Sequence, residues 1–119
     1  MTVTTMEIFD VMHADCSSRK VLDLISDKWT TLVIRVLERG TQRFGVIKRR
    51  IGGISQKMLT QTLRRLEDAG LASRAVQNVV PSVVEYTLTP LGCSLLPVLD
   101  AIVGWSESHA GEVERAWQG

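Results

Sequence analysis

Five side chains between Ser55 and Asp68 carry hydrogen-bonding chemistry at helical spacing: Gln56, Lys57, Thr60, Gln61 and Arg64. Read at 3.6 residues per turn, Lys57, Thr60, Gln61, Arg64 and Asp68 fall on one side of a helix, and Leu59, Leu63 and Leu66 on the other. The polar side mixes amide, hydroxyl and basic groups where a solvated helix usually alternates Glu and Lys. Gln and Arg make two-pronged hydrogen bonds to base edges, and Lys and Thr reach bases or phosphates. That is the chemistry of a recognition helix in the major groove of DNA. In isolation the segment reads more simply as a solvated face with no partner, so its surroundings must decide.

The ends of this helix are marked. Ser55 stands at the N-cap, where its hydroxyl can accept from first-turn amides, and Gly70 stands where a left-handed residue closes a helix. Ahead of it, Thr41 begins a short helix with Phe44, Ile47 and Ile51 inward, ending at Gly52-Gly53. Two glycines between two short amphipathic helices suit a tight helix-turn-helix connection. Earlier still, Asp27 opens a helix in which Trp29, Leu32, Val33, Val36 and Leu37 form the inward stripe, with Gly40 at its close; its regularity makes it the expected centre of the core. Asp15 or Ser17 can cap a further helix to about Ser26, facing Val21, Leu22 and Ile25 inward.

After the recognition candidate the period shortens to two. Residues 71–78 and 83–88 read as strands, with Val84, Tyr86 and Leu88 inward and Glu85 and Thr87 outward. Residues 79–82 form the hairpin tip, whose Pro81 discourages edge pairing. A hairpin directly behind a recognition helix is the organisation of a winged helix. Thr89-Pro90 then starts a long helix, Thr as cap and Pro in the first turn; Pro97 is expected to kink it or tighten its start. Its stripe of Leu91, Leu95, Val98, Leu99, Ile102, Val103 and Trp105 is wider than a small domain covers, and residues 5–14 add Met6, Ile8, Phe9, Val11 and Met12 on a helix or an extended arm. These two excesses point to a subunit interface built from Ile8, Phe9 and Met12 with Leu95, Leu99, Ile102 and Trp105.

Charge supports the same face. The 119-residue chain carries a net charge of only +1, yet residues 43–74 hold eight basic and two acidic residues, leaving the remainder acidic. Arg43, Arg49 and Arg65 in that block are placed to meet phosphates. Lys48, Arg49 and Arg50 also suit a helix C-terminus, which accounts for those three but not for the whole block. No apolar run approaches a membrane span and residues 1–5 lack signal-peptide character, so the expected location is cytoplasmic. Two cysteines, Cys16 and Cys93, exclude a disulfide scaffold or zinc finger by count and spacing. His13 and Cys16 have a spacing open to a metal, but with His109 remote both histidines read as surface residues. No serine elbow, phosphate loop or zinc-protease motif is present, so neither an enzyme nor a cofactor is expected.

From Cys16 to about Trp105 the chain resembles the HxlR-type branch of winged helix-turn-helix regulators, relatives of the MarR regulators. The resemblance is carried by Cys16, Lys28-Trp29, Arg43-Phe44, residues 53–59, Leu66-Glu67, Gly70-Leu71, residues 84–86, Leu88-Thr89, Leu91-Gly92 and Trp105. It implies a mainly α fold with a small β-hairpin, a winged helix-turn-helix with N- and C-terminal dimerisation helices. The single domain 1–119 then divides into an N-terminal dimerisation arm or helix (1–15), the winged core (16–89) and a C-terminal dimerisation helix (90–119). The resemblance implies a homodimer on a pseudo-palindromic operator in double-stranded DNA, touching it through Arg43, Arg49, Ser55, Gln56, Lys57, Thr60, Gln61, Arg64 and Arg65.

Three departures stand out. Asp27 occupies a place where the family often has Gly, Ser82-Val83 replaces a proline and a basic residue that would reach phosphate or minor groove, and Ser17 replaces a proline after the cysteine. Several such regulators sense oxidants or electrophiles at the cysteine corresponding to Cys16. Here a helix start and nearby Arg19 and Lys20 favour the thiolate, Asp15 opposes it, and an inert buried thiol fits the position equally well. The expected function is a repressor released by oxidants or electrophiles through Cys16. The alternatives are a regulator controlled by a small ligand at the dimer platform and a winged-helix protein-interaction module.

Overall fold

A computed structural model describes residues 8–119; Met6 and the rest of residues 1–7 lie outside the described part. Five helices and three strands follow in the order α1 (Ser17–Ile25), α2 (Lys28–Leu37), β1 (Gln42–Arg43), α3 (Phe44–Arg50), α4 (Gln56–Asp68), β2 (Ala72–Gln77), β3 (Val83–Leu88) and α5 (Pro90–Gln118). The fold is mostly helical, with a small antiparallel sheet in the order β1-β3-β2.

Strand β1 corrects the sequence reading. Gln42 and Arg43 pair with Tyr86 and Glu85 instead of opening α3, so the helix begins at Phe44 and not at Thr41. Two residues are too few to show a period. Their partner β3 uses both edges, pairing Ala72 to Gln77 of β2 on its other side. Glu85 and Thr87, read as outward, are accordingly half-covered, and Thr87 shares a 2.7 Å hydroxyl contact with Thr41.

Helix α2 is rotated from its expected phase. Thr30, Val33, Ile34 and Leu37 are buried, whereas Trp29, Leu32 and Val36 only flank the core. The apolar stripe is wide enough for two phases, and a buried threonine is compatible because its hydroxyl lies 3.3 Å from the Asp27 carboxylate. Around this helix close Ile47 of α3, Leu59, Leu63 and Leu66 of α4, Tyr86 and Leu88 of β3, and Leu99 of α5. Each large aliphatic side chain removed from water contributes about 1.5–3 kcal/mol against chain entropy.

Helix α5 runs unbroken through Pro97 for 29 residues, capped by Thr89, whose hydroxyl accepts from the Gly92 amide at 3.1 Å. Helix α1 ends at Ile25 with Ser26 as its C-cap, as expected, but its N-cap is Cys16 rather than Asp15 or Ser17. Residues 11–16 form successive turns, held by His13 N–H to Asp10 O and Cys16 N–H to His13 O, so the arm is not a helix there.

Candidate nucleic-acid interface

The geometry of α4 follows from its two ends and its buried side. Gly53 turns the chain between α3 and α4 at φ +82°, and Gly70 ends α4 at φ +74°; both are left-handed values that favour glycine. The Ser55 hydroxyl accepts from the Met58 amide at 3.0 Å. Leu59, Leu63 and Leu66 enter the core, joined by Thr62, whose hydroxyl donates to the Met58 carbonyl at 2.8 Å.

With that side buried, Gln56, Lys57, Gln61 and Arg64 are exposed along the opposite side and Thr60 is half-buried. Arg64 stands between two clefts. One, of about 370 Å³, lies against the sheet with Thr60, Glu67, Arg74 and Tyr86; the other, of about 500 Å³, lies against α2 with Asp27, Met58, Gln61 and Arg65. The row therefore presents two amides and two cations on a rigid helix, the donor and acceptor set that base edges and phosphates accept.

The remaining residues expected to meet DNA are distributed differently. Arg43 is exposed at the N-cap of α3, and Arg49 is exposed in the last turn of that helix. Ser55 spends its acceptor on the cap. Arg65 borders the cleft it shares with Gln61 and Arg64, its Nη2 3.4 Å from Asp27 Oδ2, a pairing that no spacing rule reveals because the partners are 38 residues apart. At the wing, Val80 and the other tip residues are exposed and none is basic.

Cys16 lies in a second polar cluster. Its Sγ accepts from the Asp10 amide at 3.3 Å and stands 3.1 Å from the Ser18 hydroxyl. The Ser18 hydroxyl, then the Asp10 and Ser18 backbone amides, hold the thiol below its usual 9.0, outweighing burial and the Asp10 carboxylate. The cations named from sequence do not do this. Arg19 instead donates to the carbonyls of Val11 at 2.7 Å and Met12 at 3.2 Å, tying down the arm. Ser18, two residues past the cap, was the readable signal. Cys93 is exposed on α5.

Of the expected interface residues, Ile8, Phe9, Met12, Ile102 and Trp105 are exposed, and Leu95 packs on the flank of the core. Leu99 is 0% exposed within its own chain, a correction: its position on α5 faces the core formed with α2. Val21 and Leu22, expected to face inward, are exposed, and with Phe9, Val11 and Ile25 they line an apolar groove. No helix of the described residues is long and apolar enough to cross a membrane.

Comparison with known proteins places this geometry. The family model described as HxlR-like helix-turn-helix matches residues 24–114. The chain is 43% identical over 98 residues to the uncharacterized HTH-type transcriptional regulator YtfH of Escherichia coli (strain K12), covering 82% of this chain and 78% of that protein. A solved structure of ytfH from Salmonella typhimurium, described as a transcriptional regulator, is similar with a TM-score of 0.88 at 36% identity, over 94% of this chain and all of that one. The redox regulator HypR in its oxidized form is similar with a TM-score of 0.72 at 38% identity, over 78% of this chain and 96% of that one.

Proposed function

This chain belongs to the HxlR-like helix-turn-helix family, and on that footing we propose that it is a homodimeric, sequence-specific repressor whose release from DNA follows modification of Cys16. The family and the relatives are transcriptional regulators of the helix-turn-helix type, not enzymes, and DNA is the partner of that class. The observation that carries the finer reading is the row of Gln56, Lys57, Gln61 and Arg64, exposed on a helix whose other side is locked into the core. In this reading α4 enters the major groove, Gln61 and Arg64 read bases, and Arg43 and Arg49 meet phosphates. The exposed apolar residues of the arm, α1 and α5 pair two copies, setting their α4 helices about 34 Å apart on a pseudo-palindrome. Such a protein works on chromosomal DNA in the cytoplasm.

The redox part rests on the lowered pKa of Cys16 and on the likeness to a redox regulator. A thiolate attacks oxidants and electrophiles faster than a thiol. Because Cys16 caps α1, its modification acts on a helix that carries exposed apolar surface. A second reading, control by a small ligand, is favoured by a cleft of about 360 Å³ where α1, α2 and α5 meet, lined by Ile25, Lys28, Thr31, Leu32, Ile102 and Ser106.

Footprinting on the DNA upstream of the protein's own gene tests the main reading. A short protected pseudo-palindrome whose binding weakens steeply with salt is expected; no protection even at low salt overturns it. Cys16→Ser separates the redox part. If diamide, peroxide and quinones still release the variant from that site, Cys16 is not the sensor.

A further inference from the structure

Burial of Leu59, Leu63 and Leu66 decides which side of α4 faces the core. It leaves open only a rotation of a few degrees that keeps all three covered, since the hydrophobic effect is non-directional. A polar contact with fixed geometry sets that fine angle. The Ser55 cap and the Thr62 hydroxyl both act within α4. Among the described residues, Arg65 to Asp27 is the only side-chain hydrogen bond or ion pair between α4 and another helix.

Asp27 is well placed for the task. It is the N-cap of α2, so the same Oδ2 that meets Arg65 at 3.4 Å also accepts from the Thr30 amide at 3.2 Å and lies 3.3 Å from the Thr30 hydroxyl. Thr30 is fully buried, which fixes the carboxylate to the core helix. At the other end, Arg65 follows Arg64 directly and lies one turn beyond Gln61. A rotation of α4 that breaks the contact also swings both of those side chains.

We propose that Asp27 is a positioning residue for base reading, setting the rotation of α4 through Arg65, and that Arg65 is the clasp rather than a phosphate contact. The inference rests on the reading of α4 as the helix that enters the groove. Side chains exposed by 47% for Arg65 and 30% for Asp27 make a weak pair, and a weak pair biases an angle by no more than its own energy. The effect on binding is therefore at most about fivefold.

Asp27→Asn tests this without unfolding α2, since Asn is as good an N-cap as Asp. The probes are a duplex carrying the protected site and a scrambled duplex of equal length and composition, each titrated across salt. With the clasp, Asp27→Asn and Arg65→Gln each weaken the protected site by about 1.5- to fivefold, leave scrambled DNA unchanged, and keep the salt slope on the site. The double variant loses no more than either single one, and Arg65→Lys, which keeps a cation for Asp27, restores binding.

Four results overturn it. If Asp27→Asn strengthens both duplexes and steepens the slope by about 0.9, Arg65 has been freed to meet a phosphate. Equal weakening on both duplexes, or no change on either, also removes the positioning role. Wild-type protein that binds neither duplex overturns the reading of α4 itself, and the clasp with it.

Discussion

A Cβ added to Gly92 would stand 2.1 Å from the carbonyl oxygen of Leu71 and 3.1 Å from its carbonyl carbon. The first turn of α5 thus lies directly on the residue that joins α4 to β2. The same Leu71 carbonyl accepts from the Thr89 amide at 3.1 Å, and the Thr89 hydroxyl donates to the Gly70 carbonyl. Backbone against backbone leaves no flexible side chain to yield.

Gly92→Ala therefore reverses the usual rule. In a helix interior that change ordinarily stabilises by about 0.8–1.0 kcal/mol. Here the methyl forces α5 away from Leu71, with an expected loss of about 1–3 kcal/mol or more. Differential scanning calorimetry decides it; a melting temperature at or above that of the wild type contradicts the close approach.

Cys16 should react with iodoacetamide at lower pH than a cysteine in an unstructured peptide. Its folded pKa is depressed, so the stability it adds is present above the unfolded value and is lost as pH falls through the folded value. Ser18→Ala removes the largest cause of that depression and should move the reactivity profile of Cys16 toward higher pH. Rate against pH, read by mass spectrometry at Cys16, checks both statements, and a profile that coincides with that of the peptide would contradict the first.

Leu99 and Trp105 should separate folding from pairing. Leu99→Ala opens a cavity in the core, with an expected cost of about 2–5 kcal/mol in chemical denaturation. Trp105 is 59% exposed and stacks only on His109 of the same helix, with ring centroids 4.6 Å apart. Trp105→Ala should leave the fold intact and weaken self-association in sedimentation. A dimer indifferent to Trp105→Ala removes this residue from the interface.

Gln61→Ala and Arg64→Ala should each cost about 1–3 kcal/mol at particular base pairs of the protected site and little on other DNA. Arg49→Ala should weaken every sequence alike and reduce the salt slope by about one. Binding to a panel of single-substituted duplexes reads out the difference. Uniform losses for Gln61→Ala would move it from base reading to general affinity.

How legible the protein was in its sequence varies with the range of the interactions involved. Local signals were dependable: Ser55 caps α4, Gly70 takes the left-handed turn, Thr89 caps α5, and strand β3 spans residues 83–88. Each depends on neighbours a few residues away. Choices made between distant segments were not readable. The phase of α2 depends on which of two apolar faces meets α5, strand β1 exists only because β3 offers a free edge, and Leu99 is claimed by the core rather than left for a partner. Arg65 looked like one more cation in a basic block until Asp27 stood beside it.

The length of α5 has a mechanical meaning. No residue of this helix beyond Leu99 is fully buried; Asp100 pairs with Arg35, their Oδ1 and Nε 3.3 Å apart without hydrogen-bond geometry, and up to Ser106 the helix still borders α1 and α2. Residues 107–118 run on past these neighbours for about 18 Å, so a tilt of about 5° there carries the tip by about 1.5 Å. Whatever grips the tip works one end of a lever. Its other end is the junction of Gly92 with Leu71, beside the last turn of α4.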